Sequence, residues 1–152
     1  KILFLLFILQ ACSYEPILAK RNYDFNFGAI NTSGDATINK TIKDKLISRT
    51  SGNNKFDLLL KSKKNREIVS SDTKGDPKIY SLIIIVEYFV SKGGKDIYQN
   101  KIIKQTTYNN LSDKYELSQY EEGIIKNLSD ILSNEILFSV KTISEWLKNT
   151  LN

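Results

Sequence analysis

The sequence predicts an α+β fold, a four-stranded, mostly antiparallel sheet with two helices packed on one face. Three observations carry this reading. Apolar residues alternate at period two in two runs, a third run is apolar on both pleat faces and a fourth, more polar run follows it, and two other segments repeat apolar residues every three or four positions. Their order along the chain is strand, helix, three strands, helix. With 152 residues, 41% hydrophobic content, seven Gly and two Pro, the chain can build one packed domain and is too short for two ordinary ones.

Arg21 to Phe27 is the first strand, with Tyr23, Phe25 and Phe27 on one face and Asn22, Asp24 and Asn26 on the other. Such an aromatic row can line a ligand groove, but packing into a core is its more frequent use. Gly28 and Asn31-Thr32-Ser33-Gly34 then mark a loop. Asp35 caps a helix in which Ile38, Ile42 and Leu46 recur every four residues, and Gly52 is placed to stop it. Phe56, Leu58 and Leu60 form the second strand, which resumes around Ile68 and Val69 after the polar stretch Lys61 to Glu67.

Ser70 to Pro77 reads as a turn-rich loop. From Ile79 to Val90 the chain is apolar on both pleat faces, as expected of a central strand. Ser91 to Asp96 has hairpin chemistry, and Ile97 to Tyr108 returns as a more polar fourth strand. A long helix starts at Ser112 or Ser118 and runs to about Lys148. Its stripe is Ile125, Leu128, Leu132, Ile136, Val140, Ile143 and Leu147. Gly123, near its start, costs about 1 kcal/mol relative to Ala.

The residue inventory limits the chemistry. There is no His, and Cys12 is the sole Cys, which excludes His-based acid–base catalysis, Cys/His zinc sites and internal disulfides. Glu121 and Glu122 are the obvious carboxylate pair for a hydrolase. Adjacent helical positions point about 100° apart, so the pair does not converge, and the chain is expected to be neither an enzyme nor a cofactor protein.

Ile2 to Leu9 is an unbroken apolar run. As a helix it would cover roughly 12 Å of a ~30 Å hydrocarbon core, so it does not span a membrane. It has the length of a secretory signal's hydrophobic region. Leu9-Gln10-Ala11-Cys12 resembles the lipobox of bacterial lipoproteins, with Leu three residues before the Cys and Ala directly before it. The alternative is a buried Cys in an ordinary N-terminal strand. The lipobox resemblance implies a signal peptide over residues 1–11, a lipidated tether over 12–20 with Cys12 acylated, and a single domain over 21–152. Two or more acyl chains anchor a protein stably where one binds marginally. In such lipoproteins an Asp after the Cys favours inner-membrane retention; Ser13 stands there, which points to the outer membrane.

The net charge of +5 is unevenly placed. Residues 40–78 hold eleven Lys or Arg against five acids, while residues 113–152 hold four Lys against seven acids. Lys61-Ser62-Lys63-Lys64-Asn65-Arg66 is the densest part, and reads either as a solvated loop or as a contact for an acidic ligand. Nucleic acid is not the expected ligand, because a secreted domain with core-like aromatic alternation carries no recognisable nucleic-acid motif.

Several local patterns, in order, resemble one family. Cys12-Ser13-Tyr14-Glu15-Pro16-Ile17-Leu18 is similar to the opening of the LPS-assembly lipoprotein family, LptE. The Leu-rich strand Phe56 to Leu60, the strand Tyr80-Ser81-Leu82 to Val86-Glu87-Tyr88, and Thr107-Tyr108-Asn109 before the long helix extend the resemblance over the mature chain. Family members often carry Thr-Arg before the third strand; Pro77-Lys78 stands here, keeping the charge without the planar fork.

The resemblance implies a structural partner on the periplasmic side of the outer membrane. Such a protein plugs an LptD-like β-barrel translocon, assists its assembly and helps deliver lipopolysaccharide. Lys61, Lys63, Lys64, Arg66 and Lys78 are then the candidate LPS-binding residues. The alternative is an auxiliary lipoprotein of a lipid-transport ABC system.

Overall fold

The computed structural model describes residues 23–150. The lipobox-like segment with Cys12, the tether and Arg21 therefore lie outside the described residues. The elements are β1 (Asn26–Gly34), α1 (Ala36–Arg49), β2 (Lys55–Ser71), β3 (Pro77–Lys92), β4 (Lys95–Asn109) and α2 (Lys114–Thr150). The sheet order is β1-β2-β3-β4, with β1 parallel to β2 and the remaining pairs antiparallel. This is the expected α+β architecture. The one parallel pair exists because α1 carries the chain back along the sheet between β1 and β2.

Both helices cover the same sheet face. Leu58 and Leu60 of β2 and Leu82, Ile84, Val86, Tyr88 and Val90 of β3 are buried beneath them, as are Ile38, Ile42 and Leu46 of α1. From α2 come Ile125, Leu128, Leu132, Ile136 and Val140, as the stripe predicts, together with Leu117 and Leu137. Past Val140 the stripe shifts. Ser144 is the buried position, and its Oγ accepts from Asn54 Nδ2 at 3.0 Å, while Ile143 and Leu147 are half-buried. Asp113 caps α2, accepting from the Tyr115 and Glu116 N–H groups at 2.7 and 3.1 Å.

Three boundaries differ from the sequence reading. Among the described residues the first strand does not take in Tyr23 to Phe25: Tyr23 makes only an isolated bridge to Thr50, and β1 begins at Asn26. The aromatic row does pack into the core, with Phe25 buried between Tyr23, Phe27 and Phe56 at centroid distances of 5.6–5.9 Å. Gly28 and Asn31–Gly34 are not a loop. Gly28 lies at a bulge between Phe27 and Ile30, where Asp57 Oδ1 accepts from the Ala29 N–H at 2.9 Å, and the strand then continues to Gly34. As an edge strand with mostly exposed side chains, this segment is held by backbone pairing to β2 and needs no apolar alternation.

The third difference concerns the basic segment. Lys61 to Arg66 is not a loop but the middle of a single 17-residue strand. It is paired residue by residue with β3, from Lys61 opposite Glu87 to Arg66 opposite Leu82. Helix α1 ends at Thr50, whose hydroxyl donates to Leu46 C=O at 3.0 Å. Gly52 serves a different purpose: a Cβ there would lie 2.2–2.6 Å from the Asp24 and Phe25 backbone.

Candidate interaction surface

Strand alternation divides the basic segment between the two faces of the sheet. Lys64 and Arg66 point to the helix side. Lys64 Nζ meets Asp35 Oδ2 at 3.2 Å, and Arg66 Nη1 meets Glu121 Oε1 at 2.9 Å while its guanidinium lies over the Tyr80 ring at 4.6 Å. Glu121 also accepts from Tyr108 OH at 2.7 Å, so one carboxylate ties the first turns of α2 to two strands. Burial, and then donation to that carboxylate, push the Tyr108 phenol up. The Arg66 guanidinium is raised chiefly by its bond to Glu121.

Asp35 anchors the other junction. It accepts from the Thr37 and Ile38 N–H groups at 3.0 and 3.1 Å as the N-cap of α1. Burial works against its ionised form. The Ile38 N–H, the Lys64 ammonium and the Thr37 N–H together outweigh burial, and the carboxyl sits below its ordinary value.

Lys61 and Lys63 point to the opposite face, which no described element covers. Lys61 Nζ lies 5.2 Å from the Phe89 ring centroid, and Lys63 stands opposite Ile85. Around them the registers bring together Leu59, Ile83, Ile85, Phe89 and Ile103, with the Glu87–Lys101 ion pair at 3.3 Å. Ile103 is 55% exposed and Leu59 38%. This mixed apolar and cationic face is the main candidate interaction surface. The sequence reading did not single it out, although the two-sided apolar pattern of β3 is its signal.

Lys78 does not join the group. It opens β3, where its carbonyl accepts from Asn110 N at 2.8 Å. It is four residues from Leu82, the partner of Arg66, and nine from Glu87, the partner of Lys61, or about 13 and 30 Å along the strand. The five cations named from the sequence therefore occupy two faces and one end of the sheet, and two of them are already paired with acids.

The fold is shared with solved lipoproteins. Rare lipoprotein B from Shewanella oneidensis superposes with a TM-score of 0.62 at 19% identity, over 79% of this chain and 98% of that one. A minor lipoprotein from Acinetobacter baumannii gives 0.58 at 14% identity, over 80% and 93% of the two chains. Lipoprotein B from Nitrosomonas europaea gives 0.60 at 12% identity, over 84% and 91%. At these identities the likeness shows a common fold. No family model matches the sequence, and no curated protein matches it. Among the described residues, no helix is long and apolar enough to cross a membrane.

Proposed function

We propose that this chain is a lipoprotein anchored through Cys12 at the periplasmic face of the outer membrane. Its domain partners and plugs an LptD-like β-barrel, assisting the barrel's assembly and the delivery of lipopolysaccharide to the outer leaflet. One conjunction carries this reading: a lipobox-like Leu9-Gln10-Ala11-Cys12 stands directly before a domain whose fold is that of solved lipoproteins over nearly their whole length. The uncovered sheet face supports it, because apolar side chains interleaved with Lys61, Lys63 and Lys101 suit an acidic barrel wall or a phosphorylated glycolipid. In this reading Lys61 and Lys63 are the exposed contacts. Lys78 is a separate one, and Lys64 and Arg66 contribute only if their acid partners release them.

The deciding experiment is affinity purification of the acylated protein from outer membranes, with identification of the protein that accompanies it. An LptD-like barrel is the expected partner. Recovery of an inner-membrane ABC transporter instead would favour the auxiliary-lipoprotein reading. A Cys12→Ala chain exported by a cleavable non-lipoprotein signal should be a folded, soluble periplasmic domain. If it stayed with membranes lacking the barrel, the anchor would not be Cys12.

A further inference from the structure

The two ends of the described chain meet at one pole. Tyr23 N donates to Arg49 C=O at 2.8 Å, and Asp24 Oδ2 meets Lys148 Nζ at 3.1 Å, which fixes the start of the domain beside the last turns of α2. The β3–β4 hairpin closes at the same pole. There Lys95, Ile97 and Tyr98 face Ile143, Trp146 and Leu147 across an open groove of about 600 Å³. Trp146 is the sole Trp of the chain and is 63% exposed, although a Trp has more apolar surface to bury than any other side chain.

Chain length decides what lies near this pole. Ten residues separate Cys12 from Tyr23, and fully extended they reach about 35 Å. A lipid anchor on Cys12 therefore holds the Trp146 pole within that distance of the bilayer. Lys20 and Arg21, in the connecting stretch, and Lys95, on the groove, are cations suited to anionic headgroups, and Asp96 beside Lys95 is the one acid lining the groove. An indole with an apolar ring and one N–H donor is the side chain best matched to the boundary between headgroups and acyl chains.

We infer that this pole is the membrane-facing end of the domain and that Trp146 seats in the headgroup region of the phospholipid surface, with Ile97 and Leu147 beside it. The inference rests on the lipoprotein reading, and it adds an orientation: α2 meets the membrane by its C-terminal end, while the Arg66–Glu121–Tyr108 end points away.

The sole Trp and the sole Cys make this testable without a destabilising variant. The protein purified from membranes is reconstituted into phosphatidylethanolamine–phosphatidylglycerol vesicles, and Trp146 emission is recorded. A parallel sample of the chain beginning at Cys12 is coupled through its thiol to a maleimide phospholipid in the same vesicles, so that anchoring no longer depends on cellular acylation. Both samples should show emission shifted to shorter wavelength, reduced quenching by iodide, and quenching by lipids brominated near the headgroup.

If the coupled chain keeps a water-exposed Trp146, the inference fails whatever becomes of the anchor. Protection from iodide without quenching by brominated lipid also overturns it, since protein would then cover the indole. If the coupled chain responds as expected while the membrane-purified protein carries no acyl group by mass, the pole can seat in lipid but the lipoprotein reading falls, and the orientation falls with it.

Discussion

Gly34→Ala tests the junction on which the β1–α1–β2 unit depends. Gly34 has φ +99°, and a Cβ there would lie 1.8 Å from Ser62 O and 2.9 Å from Ser62 C. Both are backbone atoms of the neighbouring strand, so no flexible side chain can yield. To clear them, the end of β1 must move off β2, which loosens the Asp35 N–H bond to Ser62 C=O (3.3 Å) and the Ser62 Oγ bond to Asp35 C=O (3.2 Å). Gly75 supplies the control, because its φ is +91° but nothing lies within 4 Å of its Cβ position.

Backbone strain alone should cost about 1–3 kcal/mol at either site. Two weakened hydrogen bonds at ~0.5–1.5 kcal/mol each add about 1–3 kcal/mol at Gly34 only. The gain from a stiffer unfolded chain is common to both variants and cancels. Urea denaturation followed by far-UV circular dichroism should therefore place the Gly34→Ala midpoint clearly below that of Gly75→Ala, at unchanged slope. Equal losses would mean that β1 yields from β2 without cost, and would refute the argument.

Other outcomes follow from the same contacts. Leu132→Ala or Ile136→Ala, both with fully buried side chains, should each lower stability by about 2–5 kcal/mol in the same assay, whereas Lys126→Ala on the exposed side of α2 should change it by less than ~0.5 kcal/mol. Lys61→Gln with Lys63→Gln should weaken LPS binding and its salt dependence while moving the denaturation midpoint little, since both side chains are exposed and no carboxylate is placed opposite Glu87; unchanged binding would reduce these cations to a solubility feature. Lys64→Glu with Arg66→Glu should instead destabilise the fold, by about 1–3 kcal/mol, because new carboxylates would face Asp35 and Glu121.

Stability should also fall in acid through Asp35. Its folded pKa is lowered, so its contribution is complete above the unfolded value of ~3.9 and is lost as pH falls through the folded value. The stability difference between wild type and Asp35→Asn should shrink below about pH 4, and a difference that stayed constant there would assign the cap no ionic part.

What was legible in the sequence was whatever local periodicity encodes. The central apolar strand from Leu82 to Val90, the cap at Asp35, the hairpin at Gly93-Gly94 and most of the α2 stripe follow from which side chains must leave water, and they hold wherever the partner lies. The lipobox-like segment is equally local, being read from adjacent residue types, and it lies outside the described residues.

Tertiary structure decided the rest, through pairing. Asn31 to Gly34 and Lys61 to Arg66 read as loops because their side chains are polar, yet both are strand. The backbone groups of the first pair with β2, and those of the second with the apolar strand β3. That stabilisation resides in main-chain hydrogen bonds, which every residue but Pro can make and which leave no mark on side-chain pattern. The same pairing set the register that sent Lys61 and Lys63 to the open face and Lys64 and Arg66 to acids on α1's cap and α2. The meeting of Tyr23, Trp146 and the β3–β4 hairpin at one pole joins residues more than a hundred positions apart, and only the packing of α2 along the sheet brings them together.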